Sequence, residues 1–138
     1  MNTKTEVVVF NEGISLESGE KLNSFELMVE SYGELNQAKS NAVLVCHAFS
    51  GNHHASGVNK AEEIGWWDEI VGPNKAIDTN RYYVVCCNNL GGCSGSSGPK
   101  SINPSSNKSY GGTFPQITVG DWVNSQKMLM EKFNIPYW

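Results

Sequence analysis

The stretch Asn41-Ala42-Val43-Leu44-Val45-Cys46-His47 constrains the fold more than any other part of the chain. It is apolar without interruption from Ala42 to Cys46 and does not alternate. Such runs belong to strands covered on both faces, the situation of parallel strands in an α/β sheet. A second run of the same kind, Arg81-Tyr82-Tyr83-Val84-Val85-Cys86-Cys87-Asn88, lies further on. Each run opens into a loop of small, hydrogen-bonding residues: Ala48 to Gly57 after the first, Leu90 to Pro99 after the second. In open α/β sheets ligands bind outside the carboxyl ends of the strands, so these loops are where a site is expected.

The remaining segments fit around those two strands. Glu6 to Phe10 reads as a strand ending in the turn Asn11-Glu12-Gly13, and Leu16 to Glu20 as a hairpin-like connection. Phe25 to Tyr32 sets Phe25, Leu27 and Val29 against Glu26, Met28 and Glu30, the alternation of a half-buried strand. Between Glu62 and Val71 the spacing of Ile64, Trp66, Trp67 and Ile70 predicts a short amphipathic helix ended by Gly72-Pro73, with Trp67 in the core. Lys100 to Pro115 has no periodicity. Thr118 to Phe133 is a helix with Thr118 as N-cap, Asp121 in the first turn and a stripe of Trp122, Val123, Gln126, Leu129, Met130 and Phe133. Ile135 to Trp138 reads as the approach to a further strand. The expected organisation is one α/β domain, with opening strands over 1–34 and a first βαβα portion over 41–138.

Composition excludes several classes. A chain of 138 residues has room for one domain, and 39% apolar against 17% charged residues rules out disorder and a coiled coil. A net charge of −4 without a block of like charge offers no face to nucleic acid or to an anionic membrane. No apolar stretch is long enough to span a bilayer, and Met1 to Glu6 carries no signal core, so a cytoplasmic location is expected.

Cys46, Cys86 and Cys87 fall in the apolar runs and are expected buried as free thiols. No CxxC pair exists, and the adjacent Cys86 and Cys87 point to opposite faces of a strand, so no disulfide is expected. A zinc site from Cys46, His47, His53, His54 and Cys93 matches the spacing of no common zinc module, and no metal is expected.

His47-Ala48-Phe49-Ser50-Gly51 reads in two ways. A tight turn after a buried strand can aim backbone N–H groups into a pocket, giving an oxyanion hole with the Phe49 amide as donor and His47 orienting the loop. It can equally be a plain connection out of the strand. Gly91 to Pro99 has neither the GxGxxG nor the GxxxxGK order that cradles phosphate, and it reads as a crossing loop. GxSxG is absent from the chain, so no nucleophile elbow is present. Cys93 as a thiol nucleophile would need a partnered histidine, which the spacing does not name.

A set of motifs, taken together, resembles the homoserine O-acyltransferases of methionine biosynthesis. They are Leu35-Asn36, Asn41 through Gly51, Gly65-Trp66-Trp67-Asp68, Gly72-Pro73, Lys75 through Tyr82, Asn88 through Cys93, Gly95 through Pro99, Ser101 through Pro104, Phe114-Pro115 and Ile117-Thr118-Val119. The resemblance runs over nearly the whole chain from about residue 6. It implies the amino-terminal part of an α/β-hydrolase fold, with antiparallel opening strands and then parallel strands with crossover helices. It further implies acetyl transfer from acetyl-CoA to the hydroxyl of L-homoserine, a ping-pong reaction on a Ser-His-Asp triad. Relatives use succinyl-CoA, and others acylate serine.

The family's HALTG loop falls on His47 to Gly51. Phe49 inherits the oxyanion amide, a role indifferent to the phenylalanine that replaces leucine. Ser50 keeps the hydroxyl of the usual threonine, and His47, Ser50 and Gly51 are expected to contact substrate. The family's nucleophile elbow and its catalytic aspartate and histidine correspond to positions beyond Trp138, as does the lid that forms its homodimer contact. The chain therefore resembles an incomplete domain, truncated before the nucleophile elbow, inactive alone and holding no bound cofactor. A non-catalytic fragment, or half of a split enzyme that needs a partner chain, is the competing expectation.

Overall fold

The computed structural model describes all 138 residues. Two long strands open it: β1 (Thr3–Phe10) and β4 (Phe25–Tyr32) pair antiparallel along their full length, Thr3 opposite Tyr32 and Phe10 opposite Phe25. Phe10 and Phe25 stack at 4.5 Å, a cross-strand aromatic pair that fixes the register. A small hairpin, β2 (Ile14–Ser15) with β3 (Lys21–Leu22), joins them where the sequence predicted a turn. Gly13 takes φ +69° at its entrance, and a Cβ there would lie 2.1 Å from the Leu22 carbonyl oxygen. Only glycine fits.

The two apolar runs form β5 (Ala42–Val45) and β8 (Tyr83–Cys87), which pair in parallel. β8 also pairs antiparallel with β4, so the sheet order is β1-β4-β8-β5. The connection from β5 to β8 contains a short parallel pair, β6 (Val71–Gly72) and β7 (Ile77–Asp78). After β8 come a second small hairpin, β9 (Ile102–Asn103) with β10 (Lys108–Ser109), a 3₁₀ turn at Gly111–Thr113, and α1 (Val119–Lys132).

One cluster, including Val8, Phe10, Leu27, Val29, Val85 and Cys87, packs under Leu129 of α1 on one side of the sheet. The other, Tyr32, Val45, Ala55, Val71, Val84 and Cys86, packs under the β5–β8 connection. Cys86 and Cys87 thus face opposite sides, as their adjacency in a strand requires. All four cysteines are free. No helix is long and apolar enough to cross a membrane.

Helix α1 follows its sequence signals closely. Thr118 Oγ1 accepts from the Asp121 N–H at 3.2 Å while Asp121 Oδ2 accepts from the Thr118 N–H at 2.9 Å, a complete capping box. At the far end Asn134 adopts φ +52°, and the Ile135 and Asn134 amides donate to the Met130 and Glu131 carbonyls, a Schellman stop.

Several expectations need correction. No helix forms over 62–71; the segment is a series of turns running into β6. Glu62 takes φ +62°, and Gly65 packs so tightly on the Ala55–Ser56 backbone that a Cβ would lie 2.2 Å from the Ser56 nitrogen. Tertiary contact overrides the helical spacing there. The crossover between the parallel strands is therefore irregular, and the chain has one α-helix where the βαβα reading has two.

Trp67 is not core: it stacks on Trp66 at 5.5 Å, and the two remain 40% and 41% exposed. Cys46 is exposed, because β5 lies at the sheet edge and pairs only with β8. In the opposite sense Glu30, on the polar side of the expected alternation, is buried at 4% exposure.

Candidate functional site

A cleft of ≈ 450 Å³ opens beyond the carboxyl ends of β5 and β8 and draws its walls from both loops and from α1. His47, immediately past β5, links the two loops. Its Nδ1 lies 2.7 Å from the Ala48 carbonyl oxygen, and its Nε2 accepts from the Asn89 N–H at 3.2 Å. Since Nε2 uses its lone pair on an amide, the ring proton is on Nδ1, where it donates to Ala48. Both ring nitrogens are then engaged, which leaves none to activate Cys93 elsewhere in the cleft wall.

The turn that follows is closed by the Gly51 N–H donating to the Ala48 carbonyl at 2.8 Å. Phe49 and Ser50 occupy its two corners. The N–H of Phe49 donates to no group of the protein. The residue is 91% exposed and its ring centre lies 6.4 Å from that of Trp122. Trp122 is itself fixed by an Nε1–H bond to the Leu90 carbonyl at 2.8 Å. His47, Phe49, Ser50 and Gly51, all named from sequence, therefore line one cleft together.

The second loop contributes Asn88, Asn89 and Leu90 to Cys93. Asn88 is buried, and its Oδ1 accepts from the Ser94 N–H at 3.2 Å. Ser96 and Ser97 finish the sheet: their hydroxyls accept from the Met28 and Glu26 amides of β4 at 3.0 and 2.9 Å, below the point where β8 pairs with that strand. This is a crossing loop with a structural task. Asn88, Asn89 and Trp122 were missed as site residues; the only signal was position, the first two directly at a strand end and the third on the helix stripe.

The lining contains no Asp, Glu, Lys or Arg. Leu90, Phe114, Ile117 and Trp122 give the lining its apolar part, and His47, Ser50, Asn88 and Asn89 its polar part. Chemically, the arrangement can receive an acyl carbonyl and offer an amide donor to the charge that develops on its oxygen. No three of the histidines, cysteines, aspartates and glutamates are gathered to hold a metal ion. Burial, together with the neighbouring His54 and His47, holds His53 below the ordinary histidine range.

No family model matches the chain. Over 96% of its length it is 57% identical to the homoserine O-succinyltransferase of Hahella chejuensis, and over 95% it is 55% identical to that of Neisseria gonorrhoeae; it spans 35% of each relative. Among solved structures it matches esterase E22 with TM-score 0.88 and 38% identity, covering 97% of this chain and 38% of that one. It also matches a homoserine O-acetyltransferase from Bacillus anthracis with TM-score 0.87 and 36% identity, covering 98% of this chain and 38% of that one. The chain thus spans little more than a third of the proteins it resembles. The acyl group named in these high-identity relatives is succinyl, where the sequence reading expected acetyl.

Proposed function

We propose that this chain, homologous to the homoserine O-acyltransferases over about a third of their length, supplies the oxyanion turn of an enzyme that transfers a succinyl group from succinyl-CoA to L-homoserine. The observation that carries the reading is the Phe49 amide, unengaged at the corner of a tight turn that lines the cleft. When an acyl carbonyl is attacked, its oxygen becomes an anion, and a preorganised N–H stabilises that charge with no reorganisation. The neutral, partly apolar lining strengthens the effect by lowering the local dielectric.

In the ping-pong scheme a serine attacks the thioester carbonyl and coenzyme A leaves as its thiol. The homoserine hydroxyl then attacks the acyl-serine carbonyl, its proton passing through the histidine to the serine oxygen as the serine–acyl bond breaks. Those reacting groups correspond to residues outside this chain. Its own share is to bind the carbonyl oxygen at Phe49, to hold that turn through His47, and to border the acyl group with Ser50 and Gly51.

Relatives at 52–57% identity, all named as succinyltransferases, favour the succinyl donor. The acetyl donor is the second reading, favoured by the Bacillus anthracis structure. Homodimerisation of the complete enzyme belongs to the same proposal.

The experiment is a graft. The 138 residues replace their counterpart in the Hahella chejuensis relative, and coenzyme A release is followed with homoserine and either acyl donor. Release with succinyl-CoA in excess of acetyl-CoA, together with O-succinylhomoserine, is the expected result. A folded graft that releases no coenzyme A would overturn the reading, and release without acylated homoserine would point to hydrolysis instead. The chain by itself is expected to release none.

A further inference from the structure

Behind the first cleft loop lies a pair of buried ionisable side chains that the mechanism above does not use. Glu30 sits within β4, in register between Thr5 of β1 and Cys86 of β8. His54, 7% exposed, places Nδ1 3.1 and 3.2 Å from the two Glu30 carboxylate oxygens and Nε2 3.1 Å from the Glu63 carbonyl oxygen. Both ring nitrogens thus lie within hydrogen-bond distance of an oxygen that accepts. The ring is held at both ends. Two residues along the same face of β4, the Tyr32 hydroxyl accepts from the Ala55 and Ser56 amides at 2.8 and 3.1 Å. The His54 N–H in turn donates to Asn52 Oδ1 at 2.8 Å, adjacent to Gly51, which closes the Phe49 turn.

We propose that Glu30 and His54 are positioning residues for the Phe49 amide. They fix the trailing end of the loop as His47 fixes its leading end, so that the turn is presented in one geometry. The inference rests on the oxyanion role proposed for Phe49. An oxyanion donor acts only at the right distance from the developing charge, and a loop tethered at one end does not hold that distance. Cys86 of β8 lies beside Glu30 on this face, with the apolar Val84, Ala55 and Val71 beyond it, and His53 Nε2 lies 4.0 Å from Glu30 Oε2. A carboxylate among them is costly to desolvate, and its charge-assisted bonds give the loop a direction that apolar contact does not specify.

Two substitutions test this in the graft. Glu30→Gln keeps one acceptor oxygen for His54; Glu30→Met keeps the length and removes both. The expected result is a kcat about tenfold lower for the first and about a hundredfold lower for the second, with KM for both substrates within about twofold. In the 138-residue chain, amide hydrogen exchange at Gly51 should quicken in both variants, while that at Phe133, bonded to Leu129 at the end of α1, should not. An unchanged kcat, or exchange rising equally at both amides, would overturn the proposal. The glutamine variant decides the matter if the methionine variant does not fold. If the unsubstituted graft is inactive, the functional reading falls, and selective exchange at Gly51 still judges the tether.

Discussion

Asp121 is the residue whose loss should cost this fold most for its size. It is fully buried in the first turn of α1, and both carboxylate oxygens are used. Oδ2 accepts from the Thr118 N–H at 2.9 Å, closing the capping box, and Oδ1 accepts from the Glu17 N–H at 2.9 Å, tying the β2–β3 hairpin to the helix. In Asp121→Ala both donors lose their acceptor at once. Hydrogen bonds to a charged group contribute about 1.5–3 kcal/mol each. Glu17 is an exposed residue whose bond is only part-buried, so the lower figure applies and the pair amounts to about 3 kcal/mol. Against a typical total of about 5–15 kcal/mol this is a large fraction. In urea, with a slope of about 2 kcal/mol per molar, the midpoint should move down by about 1.5 M, read by far-UV circular dichroism. Asp121→Asn keeps one acceptor and should fall between. A loss below about 1 kcal/mol for the alanine variant would refute the account, since one cap alone typically reaches that value.

Thiol labelling near pH 8 should modify Cys93 and Cys46 in the native chain and leave Cys86 and Cys87 silent until urea is added. Burial pushes the Cys87 thiol up to about 12 and raises Cys86 as well; four prompt thiols would contradict the sheet order. Gly65→Ala, which drives a Cβ into the Ser56 backbone, should destabilise by about 1–3 kcal/mol, measured as a lower melting temperature in tryptophan fluorescence. His53 has its pKa lowered by burial, so its neutral form is favoured on folding. That stability is fully present above about pH 6.5 and is lost as pH falls through the lowered value. The urea midpoint should accordingly drop as pH falls below about 6.5, and His53→Leu should flatten that part of the profile; an unaltered profile would count against it.

What was legible in the sequence was what local chemistry decides. Thr118 with Asp121 three residues on, followed by a stripe at helical spacing, specifies α1 without reference to the rest of the chain. The unbroken apolar runs likewise announce strands, and the small-residue turn after β5 marks the cleft. The failures lie where a distant segment decides. Ile64, Trp67 and Ile70 have helical spacing, yet Gly65 must lie against the Ser56 backbone, and a helix there would carry it away. Glu30 alternates like a solvent-facing residue, but the loop through His54 has no periodicity that would announce it as a lid over that face. Ser96 and Ser97 look like linker composition, and only the shortness of β8 relative to β4 gives their hydroxyls amides to receive from.

The position of β8 also sets a schedule for synthesis. β8 follows β4 and β5 in sequence but lies between them in the sheet, so the two earlier strands share no hydrogen bonds. On the ribosome, β1 and β4 can zip together as soon as Tyr32 has cleared the exit tunnel. β4 then keeps an open edge, and β5 stays wholly unpaired, until Tyr83–Cys87 emerge. Pairings of such long sequence separation form late, and open edges invite association with neighbouring chains in the interval. A ribosome pausing just before Tyr83 would lengthen that interval, and a stretch of quickly read codons there would shorten it.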